Sequence, residues 1–344
     1  MRELEPRLNL KPQVNLSRAT ALRMWLVCIC AGIAIIQSAW TDRGSSLEIA
    51  VIALGSAVFV ELLVFYRARA QGGGRGDRIA DGSAAASALV FSLLLPSTIH
   101  PVYAGFGAGF AMLVIKHSFG GLGSNWANPA LGGWLFVRFS WPQVFERALA
   151  GSPSGGLNPG GETGLDAAVR SFLNDRVFFL TGSELPGGYI DLLFSGAPGI
   201  IADRGLCALL LGTIILIASQ TNRAWIPAAY LGVYALLIRC FGALAAGGAF
   251  GEGDILFAFF SGGTIAAAFL LMADPATGAK SDLGMFAAVI LGAVFSFIFR
   301  YSGGEIYGAF FAVALVNALT PLIRSIESRQ LYSQAGNGRA RKGT

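Results

Sequence analysis

The chain has 344 residues, 54% of them hydrophobic and only 13% charged, with 46 glycines and a formal net charge of +5; its mean hydropathy is +0.61. A water-soluble domain carries about 25% charged residues, so this chain has roughly half the charge that a water-facing surface needs. Its apolar residues fall in long runs rather than at amphipathic spacing, which excludes a soluble globular domain and predicts an all-α integral membrane protein in contact with lipid and with no nucleic-acid partner.

In chain order, Met1–Ser17 is polar and lacks the apolar stretch of a cleavable signal peptide, so residues 1–20 read as a cytoplasmic N-terminal segment. A helix of about 20 apolar residues crosses a bilayer. Ten runs qualify: 21–40, 47–66, 81–97, 101–118, 127–141, 205–219, 226–241, 255–272, 284–300 and 305–322. Cys28, Cys30, Cys207 and Cys240 all lie inside such runs without CxxC spacing or a histidine nearby, which argues against an iron–sulfur or zinc site. His100 and His117 stand at opposite ends of the fourth run and cannot clasp one haem, so any electron carrier here is organic. Glu61 in the second run and Lys116 at the end of the fourth are intramembrane ionisable residues, candidates for an ion or proton path. Their place near one membrane face also lets them snorkel to water. Asp81 opens the third run as a helix cap, the Gly105-x-x-x-Gly109 spacing suits helix packing, and Asp274-Pro275-Ala276-Thr277 stops the eighth.

The densest cluster is Gly120-Gly121-Leu122-Gly123-Ser124-Asn125-Trp126-Ala127-Asn128-Pro129-Ala130. Its glycines let the backbone approach a flat ligand, Asn125 and Asn128 offer paired amides, and Asn128-Pro129 fits a helix start with Asn as cap and Pro at the first helical position. Residue types alone leave a ligand site and a re-entrant turn equally open. Between the fifth and sixth runs lies a polar loop, 142–204, with seven Gly and Pro among Gly151–Gly161. The segment 323–344 is a basic tail expected to be disordered.

Charge sets the orientation. Sixteen lysines and arginines fall on the side of the N-terminus, six on the other (Arg300 among them, in a short loop), and Arg23, Arg138 and Arg239 within spans. The bias places both termini in the cytoplasm and the 142–204 loop outside. The two halves also resemble each other. Gly82-Ser83-Ala84 through Leu95-Pro96-Ser97-Thr98 parallels Gly262-Gly263-Thr264 through Asp274-Pro275-Ala276-Thr277. Each is followed by a helix ending in a basic residue and a glycine pair, Lys116…Gly120-Gly121 and Arg300…Gly303-Gly304, and then by Asn128-Pro129-Ala130-Leu131-Gly132 or Gly308-Ala309-Phe310-Phe311-Ala312. An odd number of spans per half predicts two inverted five-helix repeats, 21–141 and 205–322, with a small-molecule site near their pseudo-twofold axis.

Asp81-Gly82-Ser83-Ala84…Leu95-Pro96, Gly120-Gly121-Leu122-Gly123-x-Asn125-x-x-Asn128-Pro129-Ala130, Tyr189-Ile190-Asp191-Leu192 and Asp274-Pro275-x-Thr277 occur in that order. Together they resemble the RnfD/NqrB family, membrane components of the Rnf electron transport complex and of its sodium-pumping quinone reductase relative, from about Asp81 to Pro321. The resemblance implies a flavoprotein component of an ion-translocating oxidoreductase in a bacterial inner membrane. It implies partner subunits that pass electrons from ferredoxin towards NAD. It also implies FMN attached through its phosphate to a threonine within a D-x-x-S-G-A-T-P-L pattern, with a second, non-covalent flavin, riboflavin, in part of the family. The nearest match is Gly160-Gly161-Glu162-Thr163-Gly164-Leu165: the threonine, the glycine two before it and the leucine are kept, while Gly160 and Glu162 replace Ser and Ala, and Leu157 stands for Asp. Thr163 is the FMN candidate; Gly120, Gly121, Gly123, Asn125, Asn128, Asp81, Asp274 and Thr277 are candidates for the second flavin. A cofactor-free transporter or channel on the same scaffold is the competing class, and a pure scaffold protein is a third.

Overall fold

The computed structural model describes residues 18–70, 81–118, 125, 127–149, 164–176, 188–194, 199–221, 223–244, 247–279 and 281–342. Among these the chain is helical, with a single isolated bridge between Pro96 and Ile200 as its only extended pairing. Five helices are long and apolar enough to cross a membrane: Ala21–Thr41 in α1 (Arg18–Thr41), Ser45–Arg67 in α2 (Ser45–Ala70), Trp225–Gly242, Asp282–Ser302 and Gly308–Glu327. This is a multi-pass membrane protein. Its outer face says so directly: α1 exposes Leu22, Trp25, Ile29, Ile33 and Ile36 at helical spacing, a continuous apolar stripe that lipid covers and water would not tolerate.

The other apolar runs form shorter pieces. α3 (Ser83–Leu94) stops before Pro96, and α4 (Pro101–Phe110) starts at a proline and widens into a π turn over Ala111–His117. α5 (Pro129–Ser140) is followed by α6 (Pro142–Ala148), α7 (Gly164–Arg176), α8 (Tyr189–Leu193) and α9 (Ile201–Arg204). α10 (Leu206–Ala218) packs on α1 through small residues: a Cβ on Gly205 would collide with the Ala34 carbonyl oxygen. α11 (Trp225–Leu237) ends in a π turn, Ile238–Gly242.

The eighth run, expected as one span over 255–272, is broken. α12 (Ile255–Phe260) and α13 (Thr264–Ala266, continued by the π turn Ala267–Met272) are separated by Ser261, Gly262 and Gly263. Both glycines are left-handed (φ 69° and 67°), a conformation that ends one helix and re-aims the next. α14 (Asp282–Phe297) closes with the π turn Ile298–Ser302. α15 (Gly308–Lys342) continues as helix through the segment expected to be a disordered tail, because Ile326–Ala335 is rich in good helix formers.

The main core draws on α1 to α5, α9, α10, α13 and α15, and α5 meets α15 within it. Trp134 is fully buried there, its ring 5.1 Å from those of both Phe310 and Phe311. α2 packs on α4 through the Gly105/Gly109 face, where Ser56 Oγ donates to the Gly105 carbonyl at 2.7 Å.

Candidate functional site

Two helix starts at left-handed glycines each lie beside a buried cation. Gly82 (φ 73°) precedes α3, and the Asp81 carboxylate accepts from the Ser83 N–H at 2.8 Å and from its hydroxyl at 2.6 Å. The N-cap position of α3 is Gly82 and not Asp81 as expected, because the left-handed turn moves the helix start one residue on; Asp81 instead holds the first helical N–H and stands behind the Ser83 hydroxyl. From the π turn after α4, Lys116 Nζ reaches back to the same point and donates to Ser83 Oγ at 2.8 Å and to Glu61 Oε1 and Oε2 at 3.1 and 3.0 Å. His117 Nε2 lies 2.7 Å from Glu61 Oε2. Snorkelling does not describe this pair: Lys116 is 2% and Glu61 7% exposed, because each has its counter-charge inside the protein and neither needs water.

In the second half the buried cation is Arg300, which charge counting alone assigns to a short external loop. It is 6% exposed, and its guanidinium donates to the carbonyls of Ala258 and Ser261 (3.3 and 3.1 Å) and to Ser261 Oγ (2.6 Å), all at the break between α12 and α13. The Asp203 carboxylate accepts from the N–H groups of Gly262 and Gly263 at 3.0 and 2.8 Å. Nearby, Tyr189 donates a short hydrogen bond to Asp254. Burial and that carboxylate push the tyrosine hydroxyl well above its ordinary range.

Between the halves lies a cavity of about 230 Å³, walled by Ser83, Lys116, Asn125 and Asn128 from the first half and by Phe269, Leu270 and Asp274 from the second. Asn128 caps α5, its Oδ1 accepting from the N–H groups of Ala130 and Leu131 at 3.0 and 3.5 Å with Pro129 at the first helical position, as the Asn-Pro pair predicts. Its Nδ2 donates across to Asp274 Oδ2 at 2.9 Å, joining residues 146 apart in sequence. Asn125 is 5% exposed and its Oδ1, an acceptor held at the cavity, has no hydrogen-bond partner among the described residues. Thr277 is buried in the wall of an adjoining chamber of about 430 Å³, which shares Arg23, Thr221, Asp274 and Pro275 with the first. The Asn317 Nδ2, also in that wall, is buried and unpartnered among the described residues.

The structure thus brings Asn125, Asn128 and Asp274 to one cavity and Thr277 to the next, and places Asp81 one hydrogen bond behind the wall. Gly120, Gly121, Gly123 and Thr163 lie outside the described residues. Sequence reasoning missed Ser83, Lys116 and Arg23 as cavity groups, and Asn317. A lone amide within the apolar run 305–322 was a readable signal; the meeting of Lys116 with Ser83 was not. Among the described residues no group of His, Cys, Asp and Glu could hold a metal ion, and all four cysteines are free.

A family model described as the NQR2, RnfD, RnfE family matches residues 7–333. The D component of the proton-translocating ferredoxin:NAD(+) oxidoreductase complex of Clostridium ljungdahlii is 27% identical, the match covering 91% of both chains. The D component of the ion-translocating oxidoreductase complex of Aeromonas hydrophila is 28% identical over 92% of this chain and 95% of its own. The protein of the same description from Pseudomonas paraeruginosa is 29% identical over 78% of each.

Proposed function

This chain belongs to the NQR2, RnfD, RnfE family, and from that premise we propose that it is the membrane flavoprotein component of an ion-translocating electron transport complex. Its part is to carry electrons through bound flavin in a bacterial inner membrane, alongside partner subunits that take electrons from ferredoxin and pass them towards NAD. One observation carries the reading: the Asn125 carbonyl oxygen, unpartnered among the described residues, at the cavity between the two halves. Small-molecule sites are mostly apolar clefts of about 300–1,000 Å³ with a few convergent polar groups. The smaller cavity alone, at about 230 Å³, is short of that, and the adjoining chamber of about 430 Å³ makes up the difference.

The residues present fit riboflavin. Val27, Val90, Phe269, Leu270 and Pro129 offer flat apolar walls for the ring, and Asn125 Oδ1 an acceptor for a ring N–H. Asn317 and Thr277 in the second chamber offer partners for a hydroxylated side chain. Bound there, the flavin would supply one- and two-electron chemistry. The protein positions it, and its apolar walls exclude water. FMN attachment at Thr163 rests on the sequence pattern alone.

We read the scaffold as ten spans in two inverted repeats with both termini cytoplasmic. Support comes from matched local devices: left-handed glycines, Gly82 and Gly263, at the starts of α3 and α13, and Lys116 and Arg300 in π turns that reach back to those starts. A cavity between two such halves is where rocking of one against the other would couple electron movement to an ion, sodium or proton.

The test is direct. Purified chain is denatured, its gel band viewed for flavin fluorescence, and the supernatant analysed for free flavin. A fluorescent band lost in Thr163→Ala and riboflavin in the supernatant, reduced in Asn125→Leu, are expected. No flavin in either fraction would turn the reading to a cofactor-free transporter.

A further inference from the structure

Lys116 puts an ammonium at the wall of a mostly apolar cavity. A lysine near a membrane-helix end ordinarily stretches to water, and burying an ion pair is often no better for stability than an apolar pair of the same volume. Here the pair is neither isolated nor sealed. Glu61 Oε2 meets His117 Nε2 at 2.7 Å, and the His117 side chain is 17% exposed, the most open member of the cluster. From His117 the contacts run to Glu61, from either Glu61 oxygen to Lys116 Nζ at 3.0–3.1 Å, and from Lys116 to Ser83 Oγ at 2.8 Å. Lys116 and Ser83 both line the cavity. A continuous chain of hydrogen-bonded, proton-bearing groups therefore leads from a partly exposed imidazole to the proposed flavin. Other titratable groups nearby are Arg23 of α1 and Asp274 on the cavity, Asp81 behind Ser83, and Cys28, whose thiol faces the Gly82 carbonyl.

We propose that His117, Glu61 and Lys116 form a proton relay that supplies the cavity's redox occupant with the proton its reduction takes up; the inference rests on the cavity's being a flavin site. For each pair of electrons arriving from an iron–sulfur donor of the ferredoxin class, Lys116 breaks one N–H bond and a ring nitrogen of the reduced flavin gains that proton. The Glu61 carboxylate takes a proton from the His117 imidazolium and passes it to the neutral Lys116 amine, and His117 recovers one from water. One proton enters for each one delivered, and the relay ends in the protonation state in which it began. The second half has no such device among its described residues. Arg300 occupies the matching place, and a guanidinium does not give up its proton.

The experiment uses purified full-length chain in the Thr163→Ala background, so that only non-covalent flavin responds. It is reduced by dithionite in well-buffered solution in a stopped-flow cell, with flavin bleaching reporting electrons and the spectral change from unprotonated to protonated reduced flavin reporting proton uptake at the ring. In the parent chain uptake keeps pace with bleaching. In Glu61→Gln and Lys116→Arg, compared per bound flavin because Lys116 lines the cavity and both substitutions disturb the buried pair, uptake is expected to lag at least tenfold. In His117→Ala it is expected to slow and to be restored by added imidazole, which a merely structural role would not produce. Should the buried variants lose flavin, His117→Ala decides alone. Uptake at the parent rate in flavin-loaded variants overturns the relay and leaves the flavin site standing. A parent chain without releasable flavin overturns both.

Discussion

Among the described residues the two halves of the molecule bury one cation each in the same local setting, a π turn reaching back to a helix that begins at a left-handed glycine, yet they complete it differently. Lys116 is paired with a carboxylate and, through it, a histidine, at a cavity wall; Arg300 is spent on two carbonyls and the Ser261 hydroxyl at a helix break. The first arrangement is made of groups that exchange protons, the second of groups that do not. One scaffold device thus serves chemistry in one half and architecture in the other.

The largest expected effect comes from unbalancing the first arrangement. Glu61→Ala leaves the Lys116 ammonium buried without its counter-charge, and removing one partner of a buried pair costs about 3–5 kcal/mol. The melting temperature of the purified chain in detergent should fall sharply. The double variant Glu61→Leu, Lys116→Met removes both charges and should recover most of that loss. If the double variant melts as early as the single one, the pair contributes more than charge balance.

The next is Arg300→Lys, which keeps the charge and loses the fork. Two guanidinium nitrogens now serve three acceptors, and a compact ammonium on a different stem does not span them. Stranding a carbonyl or hydroxyl costs about 1–3 kcal/mol, so a moderate fall in melting temperature is expected, with flavin content intact. The same exchange in reverse, Lys116→Arg, tests proton transfer instead of packing.

Much of this fold was legible in the residues. Run length marked α1, α2, α11, α14 and α15, and Asn128-Pro129 announced the start of α5 because a cap and a fixed φ are local facts. What escaped was non-local. Ser261-Gly262-Gly263 reads as a soft patch in an apolar run, and only the Asp203 carboxylate, some 60 residues away, holds its N–H groups and makes it a break. Arg300 sits beside Tyr301-Ser302-Gly303-Gly304 and so looks like a loop charge; the carbonyls that bury it come from α12 and the break after it. The cavity itself is assembled by Asn128 and Asp274, whose meeting no spacing foretells. The asparagine pair was recognisable as a candidate, and its partner across the interface was not.

Asn128→Ala breaks the contact between the halves rather than a cation. It removes a helix cap, worth about 1 kcal/mol, and the hydrogen bond to Asp274, worth about 0.5–1.5 kcal/mol. A small fall in melting temperature is expected together with loss of non-covalent flavin. A fall without flavin loss would assign Asn128 to capping alone.

The smallest effect sharpens what burial contributes. Arg223 and Asp282 form an ion pair at 3.0 Å, the same separation as Lys116 and Glu61 Oε2, but their side chains are 60% and 87% exposed against 3% and 8%. Water already solvates both exposed charges and screens their attraction, and holding two mobile side chains together costs entropy, so such a pair contributes about 0–1 kcal/mol. Arg223→Ala should therefore leave the melting temperature almost unchanged, and added salt should narrow whatever difference remains. Distance and charge type being alike, the contrast with Glu61→Ala isolates desolvation as the quantity that separates a surface pair from one on which the first half depends.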